Sequence, residues 1–170
     1  RVDSIVILKY YLKTVIIEIN MRAVIQRVKY AHVIIEKEEK RTSGPGLMIL
    51  LGIGHSDNQD DVKWLANKIL NLRIFNDVRG IMNQSIKEIK GEIMVISQFT
   101  LMAQTKKGNR PSYGNAAKHE HAIPLYNLFK TVTQNGLSKP VISGKFGSNM
   151  EVEIVNDGPV TICIDTKNRD

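Results

Sequence analysis

The sequence predicts a mixed α/β fold: a mainly antiparallel sheet or partial β-barrel with two main helices packed outside. Three observations predict it. Short apolar runs of strand length recur at residues 22–35, 47–53, 92–101, 150–155 and 160–165. A 3.6-residue period occurs only within 56–73 and 118–134. The two kinds of segment do not alternate regularly, so a repeated βαβ architecture is excluded. A chain of 170 residues has the size of one domain and needs no disulfide or metal staple. Its 42% apolar and 24% charged residues exclude disorder, collagen and a coiled coil as descriptions of the whole.

The first segment is atypical. Ile5 to Leu8 and Val15 to Ile17 are apolar, but Lys9, Lys13 and Glu18 interrupt them. No uninterrupted run reaches half of the roughly 18 residues a membrane span needs, and no signal-peptide cleavage pattern follows. Residues 1–20 therefore read as an additional strand pair or as translated sequence upstream of the true start. Met21, followed at once by a patterned strand, favours the second. The domain proper then covers 21–166, and 167–170 is a polar tail.

From Met21 the pattern is regular. Residues 22–35 are Val- and Ile-rich with partial alternation and break at the charged run 36–41, a hairpin turn region. Ser43-Gly44-Pro45-Gly46 is a turn. Residues 47–53 form an unbroken apolar run bounded by glycines, a strand buried on both faces. Ser56-Asp57-Asn58-Gln59 matches a capping box, with Asp57, Asp60 and Asp61 crowding the first helical turn. Val62, Leu65, Ala66, Ile69 and Arg73 continue that helix at i, i+3, i+4, i+7 spacing. Asn76-Asp77 and Gly80 turn the chain into the strand at 92–101. Residues 104–115 are polar and aperiodic, a loop. The second helix, 118–134, buries Ala122, Leu125, Tyr126, Phe129 and Val132, and Asn135-Gly136 ends it. Two strands, 150–155 and 160–165, flank Asn156-Asp157-Gly158-Pro159.

The common catalytic signatures are missing. No glycine cluster is followed by the Lys-Ser/Thr of a phosphate loop. His32, His55, His119 and His121 lack metal-ligand helix spacing and read as structural. Cys163, the one cysteine, excludes an intramolecular disulfide and a cysteine zinc site, and reads as a small buried or half-buried hydrophobe. Two segments ask for more. Ser97-Gln98-Phe99-Thr100 places polar side chains at the end of an apolar strand, which is either strand-end capping or the edge of a pocket. Around Tyr113, the loop carries Lys106, Lys107, Arg110 and Lys118 with no acidic residue. A net charge of +7 agrees with a polyanionic partner, and cations interleaved with an aromatic suit a nucleic-acid backbone and a stacked base; a solvated basic loop is the plainer alternative.

Met21-Arg22-Ala23-Val24-Ile25-Gln26-Arg27-Val28, Leu72-Arg73-Ile74-Phe75, Ser97-Gln98-Phe99-Thr100-Leu101, Arg110-Pro111-Ser112-Tyr113 and Asn156-Asp157-Gly158-Pro159-Val160-Thr161 together resemble the D-aminoacyl-tRNA deacylases, chiral proofreading hydrolases. The resemblance spans residues 21 to about 165 and leaves 1–20 without a counterpart, which strengthens the upstream reading. It implies a deacylase-like fold, a cytoplasmic homodimer with active sites at the interface, aminoacyl-tRNA as partner, no membrane, and no metal or organic cofactor. It implies that Gly158-Pro159 is a Gly-cisPro motif that enters the other subunit's pocket and rejects L side chains, braced by Arg27. Ser97, Gln98, Phe99 and Thr100 would line the facing wall, with the N–H groups of Phe99 and Thr100 directed at the ester carbonyl. The tRNA 2′-hydroxyl would assist water. Lys106, Lys107, Arg110 and Lys118 would meet tRNA phosphates. Glycyl-tRNA, including glycine mischarged on tRNA-Ala, is an implied second substrate. Thr100 as covalent nucleophile is the alternative mechanism, although a threonine hydroxyl needs an activating base and none is near in sequence. A non-catalytic tRNA-binding module is the alternative function.

Overall fold

A computed structural model of the chain describes residues 20–169, so the reading of 1–20 lies outside the described residues except at Asn20. β1 (Arg22–Ile35) turns through Glu36 and Lys37, at φ 50° and 64°, into β2 (Glu39–Ser43). β3 (Gly46–Gly52) leads to α1 (Gln59–Asn71), then to the small hairpin of β4 (Phe75–Asn76) and β5 (Met82–Gln84). β6 (Glu92–Ser97) passes into a 3-10 turn (Phe99–Met102), and α2 (His119–Asn135), β7 (Ile142–Ser143) and β8 (Met150–Asp165) complete the fold.

The sheet runs β2-β1-β3-β6-β7, with β8 on the other edge of β1. Pairings through β1 are antiparallel; β3–β6 and β6–β7 are parallel. The path nearly closes: the Arg41 guanidinium on β2 donates to the Ser143 carbonyl on β7 at 2.5 Å. This is a partial barrel with both helices on its outer face. Ile25, Ile49 and Val95 of the sheet meet Val62, Leu65 and Ile69 of α1 and Leu125 and Phe129 of α2 in the larger core. The curl encloses a second core that includes Val28, Val33, Met48 and Met94. Close strand approach depends on Gly46, where an added Cβ would lie 1.9 Å from the Glu92 carbonyl oxygen.

Several local expectations shift. The α1 cap is Asn58, not Ser56: its side chain accepts from the Asp60 and Asp61 N–H groups, and Asp61 returns to the Asn58 N–H. Asp57 falls before the first helical turn and accepts instead from the Met21 and Gly54 N–H groups. The helix stops at Asn71, so Leu70 rather than Arg73 completes its buried stripe. The strand expected over 92–101 ends at Ser97, and Phe99 is 56% exposed rather than aligned with Ile93. On α2, Thr133 rather than Val132 is buried last. Gly136 ends α2 at φ −94° without a left-handed turn; what it permits is packing, since a Cβ there would sit 2.5 Å from Leu70 Cδ1. Cys163 is exposed, because Thr161 and Cys163 alternate with the half-buried Ile162 and Ile164 along a strand whose other edge has no partner among the described residues. Residues 167–169 pack on α1: Lys167 Nζ lies 3.0 Å from Asp61 Oδ1, and the Arg169 guanidinium stacks 4.3 Å from the Trp64 ring centroid.

Candidate active site

The parallel strands β3 and β6 finish side by side, with Leu51 opposite Ser97. Beyond them opens a cleft of about 670 Å³ whose lining includes Ile53, Ser97, Gln98, Phe99, Tyr113 and His119. Polar strand-end residues thus edge a pocket. The Gln98 N–H donates to the Leu51 carbonyl at 2.8 Å, the last tie before the chain enters its 3-10 turn. At the start of such a turn the first N–H groups, here those of Phe99 and Thr100, have no intrahelical acceptor. The Thr100 hydroxyl does not line the cleft; it accepts from Gln98 Nε2 at 2.5 Å.

The opposite wall comes from α2 and the segment before β8. Phe146 packs edge-on against both His119 and Tyr126, with centroids 5.5 and 5.7 Å apart. Tyr126 is anchored from beneath by its hydroxyl, which donates to the Val95 carbonyl. Lys118, the α2 N-cap, lines the cleft, whereas Lys106, Lys107 and Arg110 sit on the exposed tip of the adjoining loop. His119 packs on Phe146, as a structural histidine does, and also lines the cleft; no spacing rule marks that position, because the fold alone turns the first turn of α2 towards the pocket.

The Gly158-Pro159 segment is not a turn between two strands. It is a bulge in β8: between the pairs Gln26–Thr161 and Val28–Asn156, two steps along β1 are matched by five along β8. Arg27 lies opposite it with 6% of its surface exposed. Its Nε donates to the Asp157 carbonyl at 3.0 Å and approaches Asp157 Oδ2 at 3.2 Å, while Nη1 donates to the Ile74 carbonyl at 2.6 Å. The Gly158–Pro159 peptide bond is cis, and Gly158 has φ +122°, where a Cβ would press on Arg27 Nη2 at 3.0 Å. Pro159 is exposed, and neither residue lines the cleft of its own chain.

A buried carboxylate behind the cleft carried no sequence signal beyond its place near a helix start. Asp57, 2% exposed, accepts from the Met21 and Gly54 N–H groups, each at 2.7 Å. Burial pushes its carboxyl up to about 6, against the opposing pull of those two hydrogen bonds. His121 Nε2 meets the Asp57 carbonyl at 2.8 Å. The cluster fixes the start of β1 and the exit of β3, hence the floor of the cleft.

Residues 24–165 match the family described as D-Tyr-tRNA(Tyr) deacylase. The chain belongs to that family. Curated deacylase relatives agree: a D-aminoacyl-tRNA deacylase of Phocaeicola vulgatus is 57% identical over 150 residues, covering 88% of this chain and all of the relative. One from Azobacteroides pseudotrichonymphae is 54% identical over the same span. Among solved structures, the c-Myc DNA Unwinding Element Binding Protein superposes with a TM-score of 0.79 at 39% identity, covering 84% of this chain and 97% of that one. A probable eukaryotic D-amino acid tRNA deacylase reaches a TM-score of 0.75 at 17% identity, over 86% and 99% of the two chains, which establishes the shared deacylase fold. Among the described residues, no helix is long and apolar enough to cross a membrane.

Proposed function

We propose that this protein hydrolyses the ester of D-aminoacyl-tRNA in the cytosol, as a homodimer in which each Gly158-Pro159 bulge enters the partner's cleft. The observation that carries this reading is the separation within one chain: a rigidly braced, exposed main-chain bulge with no cleft of its own to serve. Arg27, locked between two carbonyls, fixes that bulge from inside the sheet. A stiff wall of backbone discriminates enantiomers by exclusion, more sharply than a lost methylene contact worth roughly 1–3 kcal/mol. Glycine has no side chain to exclude, so glycyl-tRNA, including that mischarged on tRNA-Ala, is a second substrate.

The chemistry is the addition of water to an ester carbonyl, followed by departure of the ribose 3′-oxygen. The Phe99 and Thr100 N–H groups supply oxyanion donors, each contributing about 3–4 kcal/mol to the transition state. The vicinal 2′-hydroxyl of the terminal adenosine positions the water, and Ser97 and Gln98 form the wall against which the ester lies. The proposed catalytic domain is residues 21–166. Thr100 serves through its main chain: its hydroxyl is turned to Gln98 and away from the cleft. The test is release of D- and L-tyrosine from tRNA by the wild type and by Thr100→Ala. Near-normal D-specific turnover of the variant is expected. Abolition of its turnover would restore the covalent mechanism, and equal cleavage of both enantiomers by the wild type would refute the gate. Binding of tRNA without any hydrolysis would leave the non-catalytic module.

A further inference from the structure

Two aromatic side chains stand at the cleft mouth without being absorbed into either core. Phe99 is 56% and Tyr113 39% exposed, and their rings meet edge to face with centroids 5.1 Å apart. The loop that carries Tyr113 is anchored at its base. Gln104 and Ser112 exchange both main-chain hydrogen bonds at 2.8 and 3.0 Å, the Ala116 N–H donates to the Tyr113 carbonyl, and the Ala117 N–H donates to the Ile53 carbonyl. The ring is therefore held in place, whereas the cations Lys106, Lys107 and Arg110 lie on the excursion beyond that anchor. The aromatic pair thus borders the cleft, and the cations, none of which lines it, follow on the exposed excursion of the same loop. An exposed ring followed by positive charge suits an unpaired base and its phosphates, because every base offers a π-face and the backbone needs neutralising.

From this order, and resting on the deacylase reading, we propose that Tyr113, propped by Phe99, is the stacking platform for the penultimate nucleotide of the tRNA 3′ single strand. The terminal adenosine and its ester occupy the cleft. The next base lies on the Tyr113 ring, and the phosphates beyond it reach Lys106, Lys107 and Arg110. Tyr113 is a specificity residue for polynucleotide over mononucleoside esters and takes no part in the bond-breaking step.

The experiment compares two D-tyrosyl esters as substrates, one of adenosine and one of the trinucleotide cytidylyl-cytidylyl-adenosine, with the wild type, Tyr113→Ala and Tyr113→Phe. The wild type should favour the trinucleotide through KM. Tyr113→Ala should lose about tenfold or more of that preference, as expected for removal of one base–aromatic stack. Its loss on the adenosine ester, whose cleft the ring also borders, should be several-fold smaller than its loss on the trinucleotide ester, and Tyr113→Phe should retain the preference. Equal loss on both esters would place the ring against the terminal adenosine and overturn the proposal, as would no loss on either. Fluorescence titration with the unesterified trinucleotide and with adenosine monophosphate gives a readout independent of hydrolysis. If the wild type binds the trinucleotide more tightly in a Tyr113-dependent way yet cleaves neither ester, the platform stands and the deacylase reading falls. Sedimentation of Tyr113→Ala completes the test: a changed oligomeric state would make the ring a contact between copies of the chain and overturn the proposal.

Discussion

Asp57 shows how a single side chain can hold a site it never touches. Its two carboxylate oxygens close onto the Met21 and Gly54 N–H groups inside the protein, and desolvation raises its carboxyl to about 6 from an ordinary 3.8. The folded state therefore binds a proton that the unfolded state releases between those two pH values. Its contribution makes the protein more stable as pH falls through 6 towards 4, by about 1–2 kcal/mol between pH 7.5 and 5. Asp165, Glu92 and Glu88 work oppositely. Their carboxyls are held below the ordinary range: in Asp165 burial pushes upward but several hydrogen bonds to the ionised form together outweigh it, and in Glu92 and Glu88 such hydrogen bonds lead. Their stabilisation disappears under acid near and below pH 4. In Asp57→Asn the stability gained on acidification from pH 7.5 to 5 should vanish. Urea denaturation of both proteins at the two pH values checks this; a wild-type-minus-variant difference that stays constant with pH would contradict it.

Among the elements, two of the closely packed glycines predict opposite tolerance to an added methyl group. At Gly46 a methyl group would meet the Glu92 main chain at 1.9 Å, and neither parallel strand can yield without breaking its ladder. Gly46→Ala should cost about 3 kcal/mol or more. At Gly136 the obstacle is the end of the Leu70 side chain, which can rotate aside, so Gly136→Ala should cost about 1 kcal/mol or less. Chemical denaturation midpoints of the two variants decide the comparison. This is also where reading the chain succeeded unevenly. Both helices and the buried strand at 47–53 were legible because 3.6-residue spacing and an unbroken apolar run each have one stable outcome. The bulge in β8 was not, because Asn156 to Pro159 carries turn residues, and only the register against β1 distinguishes a turn from a looped-out strand segment. The end of β6 was misplaced for a related reason. Phe99 and Leu101 continue an apolar pattern that the chain abandons in favour of the 3-10 turn.

At the scale of the molecule, β8 pairs only with β1 among the described residues, and it carries the exposed bulge on which the proposed dimer depends. An edge of sixteen residues is a strong template for association unless something covers it. The protein should sediment at about twice its 19.2 kDa chain mass. Solution scattering should also place Gly158-Pro159 of one protomer beside Ser97 to Thr100 of its partner. A monomer at micromolar concentration would remove the gate from the mechanism.

Sequence by itself was enough for the fold class, the two helices and the family. Those features follow from local periodicity and from motifs short enough to read in one line. Only the tertiary structure decided that Gly158-Pro159 bulges from a continuous strand, that Arg27 is buried to brace it, that Thr100 turns from the cleft while His119 faces it, and that Asp57 is buried beneath. Each of these depends on which distant backbone groups meet, and a one-dimensional pattern contains no record of such meetings.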